Sequence, residues 1–454
     1  MTTNRGQKTI RLYLLVICLL SAVIPPSSVR AEGLIRDAEI EDTLRRFADP
    51  IFTAAQLNPQ NVHIFIVNED VINSYVAGGQ NIFVYTGLLL ICDNPNMLLG
   101  VLAHETGHIA GGHLARGAED LQDAELGSVL GFVLGAAVAV ANSQAGMAVM
   151  TGSQSVIMRK ALSYTRGHEQ AADEAALRFL DSLNISASGM VEVFNILRRN
   201  QLRSFGSPDP YLQTHPLSGD RIAYIRDHMD ASPIPAGQHP KELDMPLARL
   251  RAKLFAFINI PPKTFARYPN NDTSLPARMA RAIAWYRMPD YDRANAEMKS
   301  LLKDYPNDAF LYDLNGQIQF ENGHIPDALA SYSKAAQLKP NSALILTSLG
   351  QAQLGVGKPA QAVTSLQKSA ALDNTNGETW HLLATAYGAQ SNPSMAALSL
   401  AEEAALENQP KVALLQADLA LKGLQPGSPA YLRAQDLKRE AEEMKRKAKE
   451  EKNS

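Results

Sequence analysis

The amino-acid sequence predicts an α+β domain, mostly helical with a small sheet, followed by an all-α solenoid of stacked helix pairs. Two observations predict this arrangement. In the N-terminal half, short segments rich in β-branched residues alternate with longer helical patterns. In the C-terminal half, small residues return every 34 positions, as at Gly316 and Gly350 (350 − 316). The length of 454 residues allows two or three domains of roughly 100–200 residues each.

Composition excludes one broad class of function. The chain has 43 basic and 46 acidic residues, which gives a formal net charge of -3. Because binding to nucleic acid relies on a basic excess that neutralises phosphates, we expect no nucleic-acid partner.

Residues 1–31 are predicted to be a secretory signal peptide. Arg5, Lys8 and Arg11 form a basic flank before the apolar run Leu12–Val23, which is shorter than the ~20 residues that span a bilayer. Small residues precede an expected cleavage site after Ala31. The alternative is a retained membrane anchor. The signal favours a secreted protein that works in an oxidising compartment.

The α+β domain begins with three strand candidates: Asn61–Val67, Val71–Ala77 and Asn81–Tyr85. Thr86 then opens a helical pattern, and Asn96 is the predicted N-cap of the next helix. Cleavage of the signal would leave a single cysteine, so no internal disulfide is expected.

A second apolar segment covers residues 126–158. Leu126–Ala141 is rich in small apolar residues but is short and interrupted by glycine. Three interpretations are open: a membrane-spanning helix, a buried helical hairpin, and a mobile lid or membrane-surface hairpin beside the active site. The last would give the protein a peripheral membrane contact.

The 34-residue period indicates the tetratricopeptide pattern, in which small residues let paired helices approach and neighbouring units share a core. Ala294, Ala328, Ala362 and Ala396 follow the same step. The predicted domains are a signal peptide at 1–31, the α+β domain at 32–245, the repeats at 246–425 and a charged helix at 426–454.

His104-Glu105-Thr106-Gly107-His108 is the segment with the clearest chemistry. On a helix, positions i and i+4 lie on one face, so both imidazoles can bind one metal ion. Glu105 then lies beside the metal, where it can accept a proton from water. The apolar flanks indicate a core helix. His113 is expected to point away from this face, as a structural residue or as a partner of a ligand.

A third ligand is expected downstream, because a catalytic zinc ion needs three protein ligands and an open position. Glu169 and Asp173 are four residues apart on a predicted helix. One carboxylate can bind zinc while the other accepts the free N–H of a zinc-bound imidazole.

The HExxH helix followed by E-x-x-A-D, which starts 61 residues after His108 (169 − 108), resembles the metallopeptidase family of the CAAX prenyl protease and HtpX. The resemblance implies a zincin-like fold, one Zn²⁺ per chain, Glu169 as third ligand and Asp173 as partner of a ligand. Asn73-Ser74-Tyr75 resembles the family's N-A-F element, which lies on a strand edge that pairs with extended substrate.

Thr214-His215-Pro216 with Arg221-Ile222 resembles the T-H-P-x-x-x-x-R-I element of a secreted branch of this family that carries tetratricopeptide repeats. The resemblance places His215 near the zinc ion, either as a fourth ligand that keeps the resting enzyme shut or as a stabiliser of the oxyanion. Taken alone, a histidine before proline is a turn residue.

The resemblance implies a zinc-dependent endopeptidase of the periplasm for quality control and assembly of outer-membrane proteins. The repeats would bind unfolded or stalled substrates, or the outer-membrane assembly machinery. The alternative is a chaperone-like tetratricopeptide adaptor with a latent metal site. The predicted catalytic residues are Glu105, Asp173 and His215, and the predicted metal ligands are His104, His108, Glu169 and His215.

Overall fold

The computed structural model describes residues 33–113, 166–203 and 210–450. The predicted signal peptide and the apolar segment at 126–158 lie outside these residues. Within the described ranges, no helix is both long enough and apolar enough to cross a membrane.

Four strands form one mixed sheet in the order β1-β2-β4-β3. β1 (Leu34–Ile35) is antiparallel to β2 (His63–Val67), and β2 is parallel to β4 (Asn81–Tyr85). β3 (Ser74–Ala77) is antiparallel to β4 and forms an edge of the sheet. The predicted small sheet is confirmed, although two of its strands begin later than the sequence indicated.

Seven described helices accompany the sheet, and they bury one apolar core against it. α1 contributes the aromatic side chains Phe47 and Phe52 to this core, and both are fully buried. The bounds are α1 Ala38–Ala54, α2 Thr86–Ile91, α3 Pro95–Ala110, α4 Arg166–Ser182, α5 Ser188–Arg203, α6 Pro210–Thr214 and α7 Gly219–Ala231.

The predicted N-cap of α3 is wrong. Asn94 caps the helix, since its side chain accepts a hydrogen bond from the backbone N–H of Met97, and Pro95 occupies the first turn. Asn96 is buried inside the helix, and its amide donates to the backbone carbonyl of Ser186 at 3.4 Å. Asn96 therefore ties α3 to the start of α5 instead of capping α3.

The C-terminal part is a stack of helix pairs that confirms the predicted solenoid. Helices starting at Ala309, Ala343 and Gly377 repeat at 34 residues (343 − 309, 377 − 343). A Cβ added to Gly316 would lie 2.6 Å from the ring of Tyr332, so this glycine permits close packing within a pair. The bounds are α9 Pro261–Arg267, α10 Leu275–Arg287, α11 Tyr291–Asp304, α12 Ala309–Glu321, α13 Ile325–Leu338, α14 Ala343–Gly355, α15 Pro359–Leu372, α16 Gly377–Ala389, α17 Pro393–Leu406, α18 Pro410–Leu421 and α19 Pro429–Glu450.

One helix belongs to both parts of the chain. α8 (Asp244–Ile258) contributes Leu250 and Leu254 to the core of the sheet-containing part. Its Ala252 and Ala256 belong to the first core of the repeats. The two cores therefore share one helix as a common wall.

Buried ion pairs reinforce this junction. Lys253 on α8 lies 2.7 Å from Asp37, whose carboxylate caps α1. Arg249, also on α8, pairs with Glu39 on α1 and with Asp308 at the start of α12. Two further pairs join the start of α1 to the repeats: Arg36 with Asp373 at 2.7 Å, and Asp42 with Lys339 at 2.5 Å.

Candidate metal centre

α3 presents two imidazoles to one point. His104 and His108 are four residues apart on the helix, and their Nε2 atoms lie 3.1 Å from each other. Both rings are buried, as is the whole helix from Pro95 onward to His108. The apolar sequence of α3 therefore places two polar rings inside the core, where each needs a partner.

α4 brings a carboxylate to the same point. Glu169 Oε1 lies 3.3 Å from His108 Nε2, and its Oε2 lies 3.5 Å from His104 Nε2. The two helices can approach because Gly107 has no side chain. A Cβ there would lie 2.6 Å from the backbone oxygen of Ala172 on α4.

His215, which follows α6, completes the cluster. Its Nδ1 lies 3.1 Å from Glu169 Oε1 and 3.4 Å from His104 Nε2. One ligand atom from each of the four residues lies within 4.8 Å of all the others, and all four residues are buried.

The outer partners of His104 and His215 fix where the lone pairs of these two rings point, and His108 has a third imidazole as its outer partner. His104 Nδ1 lies 2.9 Å from Asp173, so it carries the proton and donates to the carboxylate. His108 Nδ1 lies 3.0 Å from Nδ1 of His113. His215 Nε2 donates to the Ser74 backbone carbonyl at 3.0 Å. The inward nitrogens of His104 and His215 are then acceptors, and together with the Glu169 carboxylate they fit a metal cation.

The charges of the cluster support the same conclusion. Burial disfavours ionised Glu169, but His215 and hydrogen bonds from the other two rings outweigh burial and hold its pKa well below its usual range. Burial likewise opposes a charge on His104, yet hydrogen bonds to Asp173 and Glu169 raise its pKa to about 10. The pocket thus attracts a positive charge, which a metal ion would supply in place of a proton.

Arg221 on α7 anchors both acids of α4. Its Nε lies 2.6 Å from Asp173 Oδ2, and its Nη1 lies 2.6 Å from Glu169 Oε2. Burial disfavours the ionised form of Asp173, but hydrogen bonds from His104 and Arg221 outweigh it and lower its pKa. Asp173 is therefore an ionised link between a cationic side chain and a ring of the cluster.

Glu105 lies beside the cluster without joining it. Its Oε1 accepts a hydrogen bond from Ser74 Oγ at 2.5 Å and lies 3.6 Å from His215 Nε2. Its buried Oε2 has no hydrogen-bond partner among the described residues. One oxygen is thus held by the protein while the other remains an acceptor.

The edge strand β3 borders this arrangement. Tyr85 N–H donates to the Asn73 carbonyl, and the register pairs Ser74 with Val84. In an antiparallel ladder, residues next to a hydrogen-bonded pair direct their backbone groups away from the partner strand. The outward carbonyl of Ser74 is the one that accepts from His215.

Residues 35–229 match the family described as peptidase family M48. The sheet-containing part of the chain is similar to peptidase family M48. The M48 region carries every side chain of the cluster, and it is a metallopeptidase domain. Residues 316–357 match a tetratricopeptide (TPR) repeat.

Curated relatives match a longer stretch of the chain than the family does. The chain is 26% identical over 276 residues to the "Beta-barrel assembly-enhancing protease" of Yersinia pestis, which covers 60% of this chain and 57% of that protein. It is 27% identical over 280 residues to the protein of that name from Escherichia coli K12, with 61% and 57% covered. The matched region thus spans just over half the length of these relatives. The crystal structure of MamA is 21% identical, covers 37% of this chain and 96% of that chain, and has a TM-score of 0.29.

The region matched to M48 brings together the four residues predicted as ligands. It places Glu105 beside the cluster and Asp173 against the outer nitrogen of His104. Their individual roles as ligands, proton acceptor and ligand partner remain predictions. His113 contacts the outer nitrogen of His108, as a partner of a ligand would, but it does so from outside the helix. Because α3 ends at Ala110, His113 is not on the helix and folds back to His108.

Three neighbours of the cluster were missed from the sequence. Ser74 departs from the alanine of the family element, and this departure was the available signal for its contact with Glu105. The ring of Tyr211 lies 4.6 Å from that of His215. The ring of His168 stacks on His113. Tyr211 and His215 are four residues apart (215 − 211) at the end of one helix, so this spacing was the available signal for their contact. No local pattern indicates the contact between His113 and His168, because these residues lie far apart in the sequence.

Proposed function

We propose that the protein is a zinc-dependent endopeptidase that acts in the periplasm in the quality control and assembly of outer-membrane proteins. The observation that carries this proposal is the convergence of four buried ligand atoms within 4.8 Å, with the carboxylate of Glu105 beside them. Imidazole and carboxylate ligands in this number suit zinc, and one ion would be held per chain.

His104, His108 and Glu169 would hold the ion. A bound zinc ion supplies Lewis-acid activation of water and of the peptide carbonyl. Glu105 would act as the general base and then as the general acid. Ser74 fixes one of its oxygens, and the other accepts a proton from the attacking water and passes it to the amide nitrogen that leaves.

His215 has two roles open to it. As a fourth ligand it would keep the resting enzyme shut. As a donor near the carbonyl it would stabilise the oxyanion. Asp173 keeps the ring of His104 in the tautomer whose Nε2 faces the ion, and Arg221 holds Asp173 in place.

The substrate would be an extended polypeptide laid along β3, because Ser74 on this strand contacts both Glu105 and His215. The relatives' name, "Beta-barrel assembly-enhancing protease", motivates outer-membrane β-barrel proteins as the substrate class. The repeats would hold unfolded or stalled substrates or the assembly machinery. The signal peptide at 1–31 supports the periplasm, and 126–158 is the candidate for a peripheral membrane contact.

A second function is favoured by the burial of the cluster. His104, His108, Glu169 and His215 are at most 2% exposed. A site so enclosed would cleave slowly at rest. The protein would then serve as a chaperone-like tetratricopeptide adaptor with a latent metal site.

Metal content and one substitution test the proposal. The purified full-length chain should contain one zinc ion. Glu105→Gln should retain that ion, because Glu105 is not a ligand, and should lose about 10²–10⁴-fold in the cleavage rate of an unfolded outer-membrane protein. Glu174→Gln is the matched control. Glu174 is a carboxylate on α4 that accepts a hydrogen bond from Gln170 at the surface, so this variant should cleave normally.

Three results would count against the proposal. A chain without stoichiometric divalent metal has no such site. Cleavage by Glu105→Gln at the parent rate would show that another group accepts the proton. Full support of outer-membrane assembly in cells by Glu105→Gln would favour the adaptor function.

A further inference from the structure

The chain reverses direction immediately after α3. The helix ends at Ala110, and Gly112 adopts φ +59°, a left-handed conformation that favours glycine. A Cβ on Gly111 would overlap the ring of His113. Two consecutive glycines thus let His113 fold back against the end of the helix, where it is only 3% exposed.

The returning ring contacts a predicted ligand at its outer nitrogen. Nδ1 of His113 lies 3.0 Å from Nδ1 of His108. One of these two nitrogens must carry the hydrogen and the other must accept it. His108 Nε2 faces His104 and Glu169 at 3.1 and 3.3 Å. A metal ion at that position needs the lone pair of Nε2, which requires the hydrogen of His108 to be on Nδ1. His113 is then the acceptor.

A face of the same His113 ring contacts α4. The rings of His113 and His168 are stacked, with centroids 4.6 Å apart and planes at 9°. His168 directly precedes Glu169 on α4, so the ring that stacks on His113 belongs to the residue next to the carboxylate of the cluster. The His113 ring therefore touches both ligand-bearing helices, one by a hydrogen bond and one by stacking.

We propose that His113 is a positioning residue of the metal centre, which accepts the Nδ1–H hydrogen bond of His108 and so fixes the ring and tautomer with which His108 binds the ion. Asp173 does the same for His104, and the carbonyl of Ser74 does it for His215. The inference rests on the proposed zinc site and adds a residue that contacts no substrate.

Zinc affinity of the full-length chain tests this role, measured by competition with a chromophoric chelator. His113→Phe keeps an aromatic ring for stacking but has no acceptor, and it should weaken zinc binding about 10–100-fold. His113→Gln supplies a carbonyl acceptor and should restore affinity to within a few-fold of the parent. His63→Phe removes an exposed imidazole from β2 and should bind zinc as the parent does.

Each outcome has a separate meaning. Absence of zinc binding by the parent overturns the proposed metal site. Tight zinc binding by the parent and equally tight binding by His113→Phe overturn only the role of His113. Equal weakening by His113→Phe and His113→Gln also overturns it, because the acceptor would then be irrelevant.

A backbone variant keeps the test valid if His113→Phe does not fold. Gly112→Ala retains the imidazole but strains the turn that returns it, and it should lower zinc affinity. Gly237→Ala is the matched control, since Gly237 also has positive φ (+77°) and an added Cβ meets nothing within 4 Å. Equal zinc affinity in these two variants would contradict the proposal.

Discussion

The contact between α3 and α4 can be tested by adding a single methyl group. A Cβ at Gly107 would lie 2.6 Å from the oxygen and 3.0 Å from the Cα of Ala172. An ordinary contact is about 3.4 Å, so the helices must separate by about 0.8 Å (3.4 − 2.6). Since backbone lies on the far side of the contact, no side chain can turn aside to make room.

Gly107→Ala should therefore weaken the metal centre more than the fold. Ligand distances tolerate only about 0.2 Å, so a separation of about 0.8 Å between the helix of His104 and His108 and that of Glu169 should reduce zinc affinity at least tenfold. Overpacking costs about 1–3 kcal/mol, and replacing a helical glycine returns about 0.5–1 kcal/mol. The expected net loss of stability is about 0–2.5 kcal/mol.

The assay is a zinc competition titration together with urea unfolding of the metal-free chain. Gly388→Ala is the matched control, because Gly388 is helical and an added Cβ meets nothing within 4 Å. It should bind zinc normally and be as stable as the parent or slightly more so. Parental zinc affinity in Gly107→Ala would refute the argument that the glycine sets the distance between the ligand-bearing helices.

Two further predictions concern the junction with the repeats. Arg249→Met removes the cation shared by the buried carboxylate of Glu39 and the part-buried carboxylate of Asp308. Because Lys253 still lies 3.4 Å from Glu39, the variant should destabilise the chain by about 3 kcal/mol in denaturant unfolding. Burial raises the pKa of Asp313 to about 7, against the attraction of Lys253. The folded chain then keeps a proton between about pH 4 and 7 that the unfolded chain releases, so stability falls as pH rises through this window. Asp313→Asn should remove this slope, be more stable than the parent above pH 7, and match it below pH 4.

An exposed variant sets the baseline for the test of Arg249. Arg293→Met removes a cation that is 62% exposed and pairs with Asp290, so it should change stability by less than about 0.5 kcal/mol. A similarly small effect of Arg249→Met would show that the junction does not depend on its charges. Identical pH–stability curves for Asp313→Asn and the parent would show that Asp313 titrates normally.

The repeats could be predicted from the sequence because each unit makes the same local choices. The small residues Gly316 and Gly350 lie where one helix of a pair meets the other, and Gly323 and Gly357 adopt the positive φ that ends a helix. The residues that determine these contacts and helix ends lie within one unit of 34 residues, so a 34-residue period in the sequence produces the same period in the structure.

The candidate site was only partly predictable. The spacing of His104 and His108 is a property of one helix, so the sequence alone indicates that they share a face. Glu169 and His215 reach that face only through the packing of α4 and α6, and resemblance to a family was needed to select them. The error at Asn96 has the same origin, since its side chain serves a tertiary contact with the start of α5 in preference to the local cap.

α8 has a mechanical consequence for any protein that engages the repeats. Leu250 and Leu254 of this helix pack into the core of the sheet-containing part, and Ala252 and Ala256 pack into the first core of the repeats. The two parts are therefore joined by a shared helix and not by a flexible linker. A protein that pulls on the helix pairs would act on a helix that also packs against α1 and α2. If the chain were divided just before Asp244, the N-terminal fragment would lack α8 and would expose the apolar surface that α8 covers. We therefore expect the separately expressed fragments to aggregate.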